Sequence, residues 1–265
     1  MAKYNNIAGT IFTFRRHKYL KRTVKSLEKA NKNRDVDWYA FVDGPVNKIT
    51  GVQYAKQKEI DKCVKILENS KLPIKKIFKS EYNICIDGQK NKSFQLYDDY
   101  DLIYFFEDDL LVSPHYLKLL YIACFQFPEH MILMNKHFNN GPLDTLEECN
   151  IARVWGSAMT RRLYHKIKDG WKEWYARAQT VDYRAGRRER AKVLSTWLTH
   201  DVALTNLTRK YGNGKLWPCN TRGHYIGKKG DIAYTDFLWK KNNMADQPKN
   251  YIYKSDANLD RFKVR

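Results

Sequence analysis

The sequence has no C-x-x-C pair: its five cysteines, Cys63, Cys85, Cys124, Cys149 and Cys219, are scattered and odd in number. That spacing argues against a disulfide framework or a zinc site and fits free thiols in a reducing compartment. The N-terminal stretch MAKYNNIAGTIFTFRR lacks the charged-then-apolar profile of a secretory signal. No window approaches the ~18 uninterrupted apolar residues of a membrane span. A cytoplasmic protein is the resulting expectation. Acidic residues are also scarce: 29 Asp and Glu face 48 Lys and Arg, a formal net charge of +19. A surface that basic attracts polyanions such as nucleic acid, anionic lipid or nucleotide phosphates.

Motifs of several other enzyme classes are missing too. GKKG at 227–230 lacks the spacing of a phosphate-binding loop, GNG at 212–214 is no dinucleotide fingerprint, and Pro218-Cys219 lacks the second cysteine of a zinc deaminase. A two-metal nuclease would need further acids or histidines converging on one spot, and the sequence offers no clear set. What the 265 residues do carry is 43% hydrophobic and 14% aromatic composition, enough for a folded protein with a substantial core.

Residues 8–14 read as a buried strand, followed by a helical segment with Leu20, Val24, Leu27 and Asn31 on one face. DWYAFVDG (37–44) reads as a second strand ending in an acid and a glycine. A helix over about 52–69 turns Val52, Ile60, Val64 and Leu67 inward. PIKKIFKS (73–80) predicts a third strand, and the polar NICIDGQKNKSFQLYDDY predicts a loop leading to a short helix. Next, DLIYFFEDDLLVSPHYLKLL (101–120) sets the apolar residues Leu102, Ile103, Tyr104, Phe105 and Phe106 ahead of three adjacent carboxylates, Glu107, Asp108 and Asp109. Ser113 and Pro114 read as the N-cap and first turn of a helix to about Phe127, which puts the triple acid in a strand-to-helix turn.

Strands alternating with helices imply an α/β fold with a doubly wound, mostly parallel sheet, which binds ligands at the carboxyl ends of its strands. Asp43 and the triple acid occupy two such ends. The second half is less regular: residues 152–167 suggest a turn into an amphipathic helix, 182–212 a basic loop and a helix, and 215–231 loop or strand. With no repeat, low-complexity tract or convincing linker, a single domain is expected.

Adjacent carboxylates repel one another, and a divalent cation, Mn2+ or Mg2+, is their natural partner, held together with water and substrate phosphates. Such a cation between an acid and a diphosphate neutralises both and stabilises the departing phosphate. The pattern resembles the metal-dependent GT-A glycosyltransferases, whose D-x-D-type motif ends a strand and holds metal and nucleotide sugar. It is most similar to the N-acetylglucosaminyltransferase I branch, where the acid triplet precedes an apolar residue, a Pro and a helix, as in FFEDDLLVSPHYLKLL. Segments similar in the same order are TIFTFRRHKYLKRTVKSL, FVDG, RVWGSAMTRRLYHKI, and WLTHDVALTNL with PCNTRGHYIGKKG behind it. The likeness spans about 10–232, and the acid triplet is its most specific part.

The resemblance implies a GT-A fold over 1–265, with a nucleotide-sugar-binding half (1–135) and an irregular acceptor-binding half (136–265). It makes Asp109 the direct metal ligand and Asp108 a contact to the ribose or to metal-bound waters, with Glu107 beside them at the nucleotide sugar. Arg15 or Arg16 would lie near the uridine or diphosphate, and Asp43 would hydrogen-bond the uracil. Trp197 to Asp201, W-x-x-x-D, resembles the segment that supplies the catalytic base. Asp201 would take the proton from an acceptor hydroxyl as it attacks the anomeric carbon, with inversion. His200 departs from the acid expected there, which leaves the base as either residue. His224 would contact phosphates or metal. Each residue also has a plain structural reading, as a turn acid, a solvated arginine, a structural histidine or a helix N-terminal acid.

The most basic stretch, YRAGRRERAK (183–192), lies just ahead of the candidate base. Its Arg184, Arg187, Arg188, Arg190 and Lys192 suit a phosphate backbone, and Trp171, Trp174, Tyr175 and Tyr183 offer stacking faces for an extruded base. The profile fits glycosyltransferases that decorate hydroxymethylated pyrimidines in the DNA of bacterial viruses, with a UDP-sugar donor and a DNA acceptor. Two alternatives stand beside it. One is the same chemistry on a lipopolysaccharide or other surface glycan, with the charge docking the enzyme on the inner membrane leaflet. The other is a non-catalytic nucleic-acid-binding protein whose acids are structural.

Overall fold

The computed structural model describes residues 4–32, 34–136, 139–227 and 251–265. Four parallel strands form one half of the central sheet: β1 (Ile7–Thr13), β2 (Asp37–Val42), β3 (Ile74–Lys79) and β4 (Leu102–Glu107), in the order β3-β2-β1-β4. Helices α1 (His17–Ala30), α2 (Gln57–Glu68) and α3 (Cys85–Ser93) connect them. After β4 come β5 (Leu110–Val112), α4 (Tyr116–Gln126), β6 (Met131–Leu133), β7 (Thr145–Glu148) and β8 (Ser157–Thr160). Then follow α5 (Arg161–Ala178), α6 (Arg187–Leu194), α7 (His200–Tyr211), β9 (Lys215–Pro218), β10 (Gly223–Tyr225) and β11 (Lys263–Val264).

The full sheet runs β11-β7-β9-β6-β8-β4-β1-β2-β3, and β5 pairs with β10 apart from it. Beyond β4 the sheet is mixed, because β8 is antiparallel to both β4 and β6, and β7 to β9. The sheet is mostly parallel, as the alternation of strands and helices implies.

The apolar run before the acids is explained by β4 being buried on both faces, since side chains alternate along a strand. Leu102, Tyr104 and Phe106 pack into a core with Leu20, Val24, Val64 and Leu120, from α1, α2 and α4. Ile103 and Phe105 enter a second core with Trp171, Trp174, Leu204 and Leu207, from α5 and α7.

Several local expectations are corrected. Helix α2 begins at Gln57, not near 52; Val52 is exposed, in a loop where Tyr54 N–H bonds the Pro45 carbonyl. Asn31 caps α1, its N–H bonded to the Leu27 carbonyl at 2.8 Å, rather than facing the core. The polar stretch expected as loop is mostly α3, whose buried residues include Asp87, Gln89, Lys90 and Ser93. A helix that buries polar side chains has no hydrophobic periodicity to reveal it. Finally, α4 starts at Tyr116 because β5 intervenes, with Leu110 and Val112 buried opposite Tyr225 and Gly223. Asp108 and Asp109 therefore sit in a strand-to-strand turn. Residues 228–231 of the expected 215–231 segment lie outside the described residues.

Candidate active site

Parallel register brings the chemistry to one edge. Phe12 pairs with Glu107 and Thr13 with Val42, so Thr13, Asp43 and the triple acid converge at the carboxyl ends of β1, β2 and β4. Arg16, the N-cap residue of α1, pairs with Asp108 and places Nη1 2.6 Å from Asp109 Oδ2. Thr13 Oγ1 donates to Asp108 Oδ2 at 3.0 Å, and Thr23 Oγ1 to the Asp108 carbonyl at 2.9 Å. Among the described residues, one guanidinium thus offsets the repulsion of two of the three acids.

Asp109 is buried, its Oδ2 ion-paired with Arg16, and its carboxylate also faces the Tyr225 hydroxyl. The Ile226 N–H donates to its backbone carbonyl at 2.8 Å, folding the chain after β10 over it. The next residue has to be glycine, because a Cβ on Gly227 would stand 2.3 Å from Asp109 Oδ2. Glu107 Oε1 is buried without a hydrogen-bond partner among the described residues. Burial pushes this carboxyl up to about 7; Lys90 pulls against that, while Asp109 and Asp201 add to it.

Asp43 accepts the Ile84 N–H at 2.8 Å and the Gly44 N–H at 3.1 Å on the same oxygen. Burial outweighs these bonds and pushes its carboxyl up to about 7. Arg15 turns to the Tyr54 carbonyl at 2.7 Å and does not line the cleft, whereas Arg16 does.

Opposite these strand ends stands the first turn of α7. Thr199 caps the helix through its side chain, and His200 and Asp201 follow. His200 Nε2 lies 2.7 Å from Asp201 Oδ1, and Nδ1 lies 3.0 Å from Asp87 Oδ1 on α3. Burial alone would lower the imidazole pKa; the two carboxylates outweigh it and raise it to about 9. Burial alone would raise the Asp201 carboxyl, and the imidazolium outweighs it, holding Asp201 below the usual carboxylate range. A cleft of about 220 Å³ separates the two sides. Thr13, Arg16, Asp43, Glu107 and Asp108 line one wall, and Tyr183, Arg184, His200 and Asp201 the other. Trp155 and Tyr225 also line it, their rings stacked at 4.4 Å with 15° between planes.

Other sequence-derived candidates are placed elsewhere. His224 does not line the cleft: next to Tyr225 on a strand it faces the other way and stacks on Tyr251, with centroids 6.0 Å apart. Arg190 is buried at 4% exposure and bonds the Leu198 and Asp182 carbonyls and Asp87, so it ties the scaffold together and cannot grip a phosphate backbone. Trp171 and Trp174 are core residues whose indole N–H groups bond Asn91 and the Trp197 carbonyl, which removes them as faces for an extruded base. Arg187, Arg188 and Lys192 are exposed on α6, and the Arg184 guanidinium lies 3.8 Å over the Tyr54 ring. Thr13, Asp87, Lys90, Trp155, Tyr183 and Tyr225 are among the site residues that sequence reasoning left without a catalytic-site role.

The donor set suits a hard divalent cation in one respect: Asp109 offers a buried carboxylate whose charge is met by the Arg16 guanidinium, a partner that a cation could replace. No three His, Cys, Asp or Glu side chains are grouped as a metal cage among the described residues, so phosphates and water would have to complete the coordination. Among the described residues, no helix is long and apolar enough to cross a membrane.

No protein-family model matches the chain, and no curated protein sequence does. Solved structures do. The chain has a GT-A-type α/β fold, similar to that of S. aureus TarS 1–349, with a TM-score of 0.53 at 12% identity over 91% of this chain and 64% of that one. TarS 1–349 in complex with UDP-GlcNAc aligns with a TM-score of 0.52 at 14% identity, over 91% of this chain and 65% of that chain. The chain thus spans just under two thirds of TarS 1–349, and 39% of the longer TarS structure.

Proposed function

We propose that the protein is a metal-assisted, inverting glycosyltransferase that takes a sugar from a UDP-sugar. The observation that carries this reading is the cleft that sets Asp43, Arg16 and Asp108 opposite Asp201, with the buried Asp109, outside the cleft lining, joined to it through the Arg16 ion pair. TarS, which shares the fold, was solved with UDP-GlcNAc, and this supports a UDP-sugar as donor. In this reading Asp43 receives the uracil N3–H on its second carboxylate oxygen, and Arg16 draws the diphosphate to the strand ends. Mn2+ or Mg2+ held by Asp109 would neutralise the leaving diphosphate. The acceptor oxygen attacks the anomeric carbon, the bond from that carbon to the diphosphate oxygen breaks, and UDP departs with the electron pair. Asp201 takes the acceptor's proton. One base and one displacement give inversion.

For the acceptor, the stacked Trp155 and Tyr225 favour the hydroxyl of a glycan, because aromatic rings lining the cleft suit the apolar face of a sugar ring. A second reading, transfer to a hydroxymethylated pyrimidine in DNA, is favoured by the exposed Arg187, Arg188 and Lys192 on α6. The test incubates the protein with Mn2+, labelled UDP-sugars and either a surface-glycan preparation or hydroxymethylcytosine DNA. Label on the glycan supports the first acceptor and label on DNA the second. An intact donor in every mixture would remove the transferase reading.

A further inference from the structure

The network behind the candidate base goes further than the choice between His200 and Asp201. His200 is 4% exposed, and each of its ring nitrogens faces a carboxylate: Asp87 on α3 at 3.0 Å and Asp201 at 2.7 Å. A neutral imidazole has one N–H to give, and its other nitrogen carries a lone pair. Placed between two carboxylates, a neutral ring would turn that lone pair toward one of them. Only the imidazolium presents an N–H, and a positive charge, to both. Asp87 is itself fixed, because its other oxygen takes Arg190 Nη2 at 3.3 Å, and Arg190 is bonded to the Leu198 and Asp182 carbonyls. The clamp therefore joins α3, α6 and the approach to α7.

The geometry points to Asp87 as a positioning residue that holds His200 as an imidazolium, hydrogen-bonded to Asp87 and ion-paired with Asp201, and thereby keeps Asp201 aimed into the cleft. His200 already carries its proton and is not the base. Asp201 Oδ1 is held in the ion pair with His200, and Oδ2 is left to receive the acceptor's proton. The groups that face His200 are Asp87, Lys90, Glu107, Tyr183, Arg190 and Asp201. The carboxylates favour the charged ring and Lys90 opposes it, which is consistent with the elevated imidazole pKa. The part concerning proton transfer rests on the transferase reading, whereas the charge state of His200 can be measured without it.

The experiment uses the 265-residue protein labelled with nitrogen-15 histidine, its ring nitrogens followed by NMR from pH 5 to 10. The His200 signal is identified by its loss in His200→Gln. In wild type His200 is expected to stay an imidazolium well past the ordinary histidine value of about 6.5. In Asp87→Asn its midpoint should fall by at least about one pH unit, with partial recovery in Asp87→Glu. A wild-type His200 midpoint near 6.5 would overturn the proposal, as would an unmoved midpoint in folded Asp87→Asn. Alongside, Mn2+-dependent hydrolysis of UDP-GlcNAc should lose about tenfold or more in kcat in Asp87→Asn, at little-changed donor KM and with a new inflection near neutral pH. Unchanged kcat and pH profile there would contradict the aiming role. A wild type that hydrolyses no donor while His200 behaves as described would strike at the transferase reading and leave the charge assignment intact.

Discussion

The two walls of the cleft settle the same electrostatic problem in different ways. On the β4 side, Asp108 and Asp109 are neighbours in sequence and share the Arg16 guanidinium, which reaches them from the start of α1. On the α7 side, Asp87 and Asp201 come from distant helices and share an imidazolium that lies between them. Arg16 lines the cleft, within reach of a ligand that can draw it away, while His200 is a buried partner with both nitrogens engaged. The first arrangement suits exchange, with a diphosphate and a cation entering where a guanidinium now sits. The second suits permanence, keeping one carboxylate ionised and aimed.

That contrast predicts unequal sensitivities. Asp201→Asn removes the proposed proton acceptor and leaves the opposite wall intact, so donor binding should survive while transfer or donor hydrolysis falls by roughly 10²–10⁴-fold. Near-normal turnover in that variant would take Asp201 out of the mechanism. Gly227→Ala acts on the other wall, where the new methyl would press on the Asp109 carboxylate and on the Tyr225 hydroxyl, 2.5 Å away. Overpacking of this kind costs about 1–3 kcal/mol, and the effect should appear as weaker Mn2+-assisted UDP binding with the His200 signals unmoved. Calorimetry with UDP and Mn2+ checks it, and wild-type affinity would mean the segment after β10 does not shape the acid site.

Changes in pH separate the walls more gently. His200 has a folded-state pKa of about 9, above the ordinary histidine value of about 6.5. Its contribution to stability is therefore fully present below about 6.5 and is lost as pH rises through about 9. Thermal unfolding midpoints should fall across that window in wild type and much less in His200→Gln. Asp43, raised to about 7, should act on affinity instead. As pH falls below about 7 its carboxyl takes up a proton and can no longer receive the uracil N3–H as an anion, so UDP should bind several-fold more weakly at pH 5.5 than at pH 8. A flat affinity profile would separate Asp43 from the base-recognition role.

Legibility in the sequence follows the same divide. Glu107 to Asp109 could be found because the three acids are adjacent and follow a run of apolar residues, and β1, β2 and β4 could be found because strands buried on both faces read as such runs. Asp87 was hidden for two reasons. It lies 113 residues from His200 in sequence, and α3 buries Asp87, Gln89 and Lys90 where a helix ordinarily buries aliphatic side chains, so periodicity reads it as loop. The basic stretch misleads in the opposite direction. Five cations within ten residues look like one surface, yet the helical turn of α6 sends Arg190 inward while Arg187 and Arg188 stay out. Composition reports charge; only the helical phase tells which charges remain available.

In the proposed mechanism Asp109 couples a divalent cation to the diphosphate of a UDP-sugar. Titration calorimetry of UDP binding to wild type and Asp109→Ala, each with and without Mn2+, isolates that coupling. Mn2+ should strengthen UDP binding to wild type by tenfold or more, about 1.4 kcal/mol, and Asp109→Ala should lose this gain. Equal Mn2+-dependent affinity in the two proteins would contradict it.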